Sequence, residues 1–129
     1  AMMKKRRFGI SLDEDLFEEL DRAARAIGAD RSRLISLATR EYLVERIHFE
    51  RVHECEGVLV ASYPAESKGE VDKLLENSGS LVLSRSHFHS RGGCCVEVIY
   101  LRGSSDSVWS LHAAIGRICR ACRYIPTCL

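Results

Sequence analysis

Two histidines and a cysteine stand close together in His87-Phe88-His89-Ser90-Arg91-Gly92-Gly93-Cys94-Cys95. Leu81, Val82 and Leu83 precede this stretch and Val96, Val98 and Ile99 follow it. Such flanks predict two β-strands joined by a turn at the Gly-Gly pair. Alternate residues of a strand share a face, so His87 and His89 point the same way. With a hairpin loop from Ser90 to Cys94, residue 89 faces residue 95, and Cys95 joins the two imidazoles. The same register sets Glu97 opposite His87. Two imidazoles and one thiolate on a rigid sheet suit a late first-row transition metal: Ni, Cu, Co or Zn. A plainer reading stands beside this one, because sheet histidines are common and cysteine often serves as a small buried hydrophobe.

The elements that position these residues belong to a chain of 129 residues with a formal charge of +1, suited to one ordinary domain or two small ones. A hydrophobic fraction of 46% supports a packed core and argues against wholesale disorder. No apolar run approaches the roughly 18 residues that span a bilayer. No signal-peptide core follows the basic start, so a cytoplasmic protein is expected. There are six cysteines, at 55, 94, 95, 119, 122 and 128. Without a secretory signal they read as metal ligands or buried thiols rather than disulfides. Charge is uneven locally. The run Lys4-Lys5-Arg6-Arg7 suggests a polyanion contact at Lys5 and its neighbours, against the alternative of a solvated tail.

Arg7 to Leu12 alternates, with Phe8, Ile10 and Leu12 on one face and Arg7, Gly9 and Ser11 on the other, which predicts a short strand. Asp13 reads as an N-cap, followed by Glu14 and Asp15 in a first turn that favours negative charge. Leu16, Leu20, Ala23 or Ala24, and Ile27 follow at helical spacing, and Gly28 ends the helix. Asp30 caps a second helix with Leu34, Ile35, Ala38 and Tyr42 on its apolar face, running to about Ile47. One strand and two helices cannot bury this apolar surface alone, and a lone strand leaves both edges unpaired. Pairing with a second copy solves both problems, and the resulting two-stranded ribbon is thin enough for a DNA major groove. This pattern resembles the ribbon-helix-helix DNA-binding fold. The resemblance implies that Arg7, Gly9 and Ser11 occupy base-reading positions and that Arg31 and Ser32 anchor a phosphate at a helix N-terminus. Gly9 departs from the pattern, since glycine offers no side chain to a base edge.

The second half reads as a polar linker from His48 to Glu56, a strand Val58–Tyr63 ended by Pro64, and a helix Lys68–Asn77 with Val71, Leu74 and Leu75 inward. Then come the strand Leu81–His89 and the strand Cys95–Leu101, broken near Gly103. A helix carrying Val108, Leu111, Ile115 and Ile118 follows, and a closing edge strand Tyr124–Cys128. The order βαββαβ is the ferredoxin-like arrangement. The expected class is therefore α+β: a ribbon-helix-helix domain over residues 1–50 and a ferredoxin-like domain over residues 51–129, which resembles ACT-like domains.

A ribbon-helix-helix half followed by His87-x-His89 and Cys95-x-Glu97 on such a domain resembles NikR, the nickel-responsive repressor family. The resemblance implies His87, His89 and Cys95 as nickel ligands, Glu97 as an acid supporting them, a homodimer through the first domain and a homotetramer through the second. It also implies a fourth ligand, a histidine ahead of the hairpin from a neighbouring subunit. Here that region reads Glu76-Asn77-Ser78-Gly79-Ser80. Glu76 is the possible extra ligand, and its hard oxygen would favour Zn(II) or Co(II) over square-planar Ni(II). The family's tyrosine near the end of the first strand of this domain corresponds to Ala65. Its second cation site corresponds to Arg33 and Leu37, which are not acidic.

Cys119-x-x-Cys122 lies at a helix C-terminus, where the dipole does not favour a thiolate, so a redox pair is disfavoured. A second metal site including Cys128 is weighed against packing thiols, and packing is preferred. His48, His53 and His112 read as solvated or structural. No Gly-rich phosphate loop and no Ser-His-Asp or paired-carboxylate set stands out, so an enzyme is not expected. The leading expectation is a metal-responsive transcriptional repressor that binds double-stranded DNA. Two others stay open: a related regulator answering another metal or a small molecule, and an antitoxin-type DNA-binding dimer whose second domain only assembles.

Overall fold

The computed structural model describes residues 4–47 and 51–127. His48 and Cys128 therefore lie outside the described residues. The chain divides into two compact units, Ala1–Arg40 and Glu41–Leu129. The division falls earlier than residue 50 because the last turns of the second helix belong to the second unit. There the Glu45 carboxylate accepts hydrogen bonds from Arg123 Nε and from the backbone N–H of Tyr124 at 2.8 and 3.0 Å.

In the first unit, helix α1 runs Glu14–Ala26, with Glu14 and Asp15 in its first turn and Arg25 in its last. Asp13 stands at the N-cap without a side-chain hydrogen bond. Gly28 takes φ 69°, the left-handed turn that glycine makes without steric cost, and the chain leaves the helix there. Helix α2 spans Arg31–Ile47. Asp30 caps it, its Oδ1 accepting from the Arg33 N–H at 2.7 Å.

The expected strand over 7–12 is not formed within one chain: residues 4–13 take neither helix nor strand. A strand requires an edge to pair with, and among the described residues the first unit contains none. The whole segment is exposed, so Phe8, Ile10 and Leu12 are open to solvent together with Arg7, Gly9 and Ser11. Ala24 is the one buried residue among those described in this unit.

The second unit holds β1 (Glu54–Pro64), a short 3-10 turn (Ala65–Ser67), α3 (Lys68–Asn77), β2 (Val82–His89), β3 (Cys94–Ser104), α4 (Ser105–Gly116) and β4 (Ala121–Pro126). The sheet order is β2-β3-β1-β4, antiparallel throughout, with Pro126 on an edge strand. Strand β1 begins four positions before Val58, since the polar stretch Glu54–Gly57 finds a partner in Leu101–Ser104. For the same reason β3 runs through Gly103, which pairs with Cys55 rather than breaking the strand. Strand β4 begins at Ala121, earlier than Tyr124, held to Ser62 of β1.

One sheet face packs under α3 and α4. Leu59, Ala61, Tyr63, Ile99, Leu101 and Tyr124 meet Val71, Leu75, Val108, Leu111 and Ile115 in one core. Each strand alternates accordingly, as in the buried and half-buried succession along β1. The opposite face carries Val58, Val60, Val96 and Val98, half-buried, beside exposed Phe88 and Ile125.

Candidate metal centre

The β2–β3 hairpin pairs His89 with Cys95 and His87 with Glu97. Gly93 turns the chain between the strands with φ 75°, a conformation that a side chain would strain. The turn is tied to the end of β1 by the Ala65 N–H donating to the Gly93 carbonyl at 3.2 Å. Cys95 and Glu97 are fully buried on the core face, His87 is half-buried and His89 is exposed. One ligand atom from each of His87, His89 and Cys95 falls within 4.8 Å of the others. The two imidazole centroids are 4.8 Å apart, and Cys95 Sγ lies 3.9 Å from His89 Nδ1.

His87 Nδ1 sits 2.5 Å from Glu97 Oε1. A carboxylate only accepts, so this contact sets a ring proton on Nδ1, and the neutral ring then has its lone pair on Nε2. That Nε2 is buried and has no hydrogen-bond partner among the described residues. An unsatisfied buried nitrogen costs about 1–3 kcal/mol, a cost that a coordinated cation would remove. The donor set therefore fits a transition metal: an oriented imidazole nitrogen, a second imidazole open to solvent and a buried thiol. Carboxylate support behind a ligating histidine is the usual arrangement at such sites.

Glu97 is the hub behind the cluster. Its Oε1 accepts from Tyr63 Oη at 2.9 Å and from Arg85 Nη2 at 2.7 Å, and Arg85 Nε reaches Oε2 at 3.3 Å. Burial pushes the Glu97 carboxyl up, but the hydrogen bonds from Arg85, His87 and Tyr63 outweigh it and hold the group below the usual carboxylate range. Burial, then the Glu97 carboxylate, raises the Tyr63 phenol well above its ordinary value. Arg85 also donates to Asp72 Oδ1 at 2.7 Å, and Lys68 Nζ holds Asp72 Oδ2 at 2.8 Å.

Sequence reasoning missed Tyr63, Arg85 and Asp72. Ala65, the position matched to the family's tyrosine, offers no phenol, but Tyr63 two residues earlier does. Ala65 lies in the 3-10 turn, while Tyr63 in β1 faces Cys95 across the strand pair and reaches both Glu97 and His87. Strand parity was the available signal: Arg85 and His87 are alternate residues on one face. Glu76 is exposed in the last turn of α3 and is not a member of the donor cluster within one chain.

Of the residues expected to meet DNA, Lys5, Arg7, Gly9 and Ser11 are exposed in the extended N-terminal segment, and Arg31 and Ser32 are the first two residues of α2. Arg31 lies over the Phe17 ring at 4.9 Å. Ser32 shares a groove with Lys5, Arg6, Arg33 and Arg40. Cys55 Sγ contacts Tyr124 Oη at 2.9 Å inside the core, a packing thiol. His112 lies beside Tyr124, with ring centroids 6.3 Å apart.

The fold is thus α+β, and its hairpin brings together His87, His89 and Cys95, a set that could hold a metal ion. No family profile matches the chain. Proteins similar to it carry the name "Putative nickel-responsive regulator". The one from Methanothrix thermoacetophila is 34% identical, covering 79% of this chain and 76% of its own. The one from Helicobacter pylori is 32% identical over 85% and 79% of the two chains, and that from Chlorobaculum tepidum 30% over 84% of each. Among solved structures, an uncharacterized protein of Thermotoga maritima superposes with a TM-score of 0.54 at 19% identity. It covers 58% of this chain and 99% of its own, which shows a shared fold. The chain belongs to the family of nickel-responsive regulators. These relatives are named as regulators and not as enzymes. No helix among the described residues is long and apolar enough to cross a membrane.

Proposed function

We propose that this chain is a DNA-binding transcriptional repressor whose affinity for its operator answers to a transition metal held by His87, His89 and Cys95. The observation that carries the reading is the buried Nε2 of His87, partnerless beside a second imidazole and a thiol. Ni(II) follows from the family, and Zn(II) or Co(II) also suit two imidazoles and a thiolate. When bound, the metal supplies a cross-link between β2 and β3, with Cys95 ligating as its thiolate. A fourth donor is open to Glu76 of a neighbouring copy or to water.

On this reading, residues 1–50 pair with a second copy as a ribbon-helix-helix dimer, and the ferredoxin-like, ACT-like second unit assembles dimers into a tetramer. The exposure of Phe8, Ile10 and Leu12 supports the pairing, because it leaves three apolar side chains at alternate positions uncovered among the described residues. The paired ribbon would present Arg7, Gly9 and Ser11 to the major groove of double-stranded DNA, with Lys5, Arg31 and Ser32 on phosphates. Metal binding would shift the population of the DNA-competent arrangement.

The test is titration of reduced protein with Ni(II), Co(II) and Zn(II), following thiolate-to-metal charge-transfer absorption. We expect binding in the wild type and its loss in Cys95→Ala. Equal metal affinity in the two proteins would remove Cys95 from the site and the reading with it.

A further inference from the structure

The most developed interaction outside the three ligands is a line of charges from α3 to the hairpin. Lys68 holds Asp72, Asp72 holds Arg85, Arg85 holds Glu97, and Glu97 holds the inner nitrogen of His87, at 2.8, 2.7, 2.7 and 2.5 Å. Glu97 has no exposed side-chain surface, so the cation that neutralises it governs where its oxygens point. Arg85 approaches both carboxylate oxygens, through Nη2 and Nε, and a two-point contact fixes the plane of the group as a single ammonium could not. The Asp72 carboxylate in turn pins the guanidinium from the α3 side. Oε1, the oxygen that takes the Arg85 Nη2 hydrogen bond, is also the one that meets His87 Nδ1.

We propose that Arg85, held by Asp72, is a positioning residue that orients Glu97 and thereby keeps the proton of His87 on Nδ1 and its lone pair on Nε2, aimed at the metal. It acts on the metal without touching it. The proposal rests on the metal-binding reading for its purpose, but its structural content holds in the metal-free protein. Because Asp72 and Lys68 lie in the first two turns of α3, the same line joins the site to that helix.

The test compares Arg85→Met, Arg85→Lys and Asp72→Asn with the wild type, each shown folded by circular dichroism. Imidazole nitrogen NMR of the metal-free proteins reads the His87 tautomer directly. We expect the wild type to hold the Nδ1–H form, Arg85→Met to lose that preference, and Asp72→Asn and Arg85→Lys to fall between. In parallel, Co(II) affinity should drop about 10- to 100-fold in Arg85→Met and be partly recovered in Arg85→Lys. An unchanged tautomer in Arg85→Met overturns the proposal. A wild type that binds no Co(II) while Arg85→Met still shifts the tautomer sinks the metal reading and leaves the positioning role standing.

Discussion

At the scale of single residues, the two nitrogens of His87 stand in different surroundings. One meets Glu97, and the other is buried without a hydrogen-bond partner among the described residues. Glu97→Gln should weaken metal affinity by about 10- to 100-fold, read by competition with a chromophoric chelator. It should also lower stability by about 1–3 kcal/mol in urea unfolding, because a charged acceptor for three donors becomes a neutral one. Tyr63→Phe removes one of those donors and should cost about 1 kcal/mol. A Tyr63→Phe protein as stable as the wild type would show that the phenol contributes nothing at Glu97. The juxtaposition of His87, His89, Cys95 and Glu97 was legible, because strand alternation and hairpin register are local rules. Tyr63 and Asp72 were not, since they arrive from β1 and α3, separated in sequence from the hairpin they meet.

At the scale of elements, the hairpin and helix α4 depend on different physics. Gly93 occupies a left-handed turn, so Gly93→Ala should cost about 1–2 kcal/mol and lower metal affinity with it, measured by chemical unfolding and Co(II) titration. Ile115 is fully buried under the sheet, so Ile115→Ala should cost about 2–5 kcal/mol with an unchanged denaturant slope. Helix interiors were largely legible from period: Val71 and Leu75 in α3, and Val108, Leu111 and Ile115 in α4, are buried, while Leu74 is half-buried and Ile118 lies beyond the end of α4. Strand ends were not. Glu54–Gly57 is polar enough to read as linker, yet it pairs with Leu101–Ser104. A ladder partner decides where a strand stops, and a partner is a tertiary fact.

At the scale of the whole molecule, two consequences follow. Asp72 is held below the usual range by hydrogen bonds from Lys68 and then Arg85. Glu97 is held low by its three donors against its own burial. Both carboxyls bind their protons less readily folded than unfolded. Their contribution is complete above the unfolded carboxylate range of about 4 and is lost as pH falls through the depressed folded values. Chemical unfolding between pH 6 and pH 3 should show that acid decline, and Asp72→Asn should flatten part of it. The second consequence concerns the first unit. With Phe8, Ile10 and Leu12 uncovered and Ala24 its one buried residue among those described, its stability should rise with protein concentration. Phe8→Asp should shift sedimentation toward smaller species, whereas a concentration-independent monomer would remove the proposed pairing.

The sequence by itself determined the local matters. It placed the helices, the hairpin register, the shared face of His87, His89 and Cys95, and the alternation of the N-terminal segment, because each depends on backbone periods spanning a few residues. Tertiary structure alone decided which carboxylate oxygen meets which donor, that the Tyr63 phenol reaches Glu97, and that Arg85 reaches back to α3. It also decided that Nε2 of His87 is buried with no hydrogen-bond partner among the described residues. Those facts depend on strands and helices brought together from distant parts of the chain, and no periodicity along the sequence encodes that meeting.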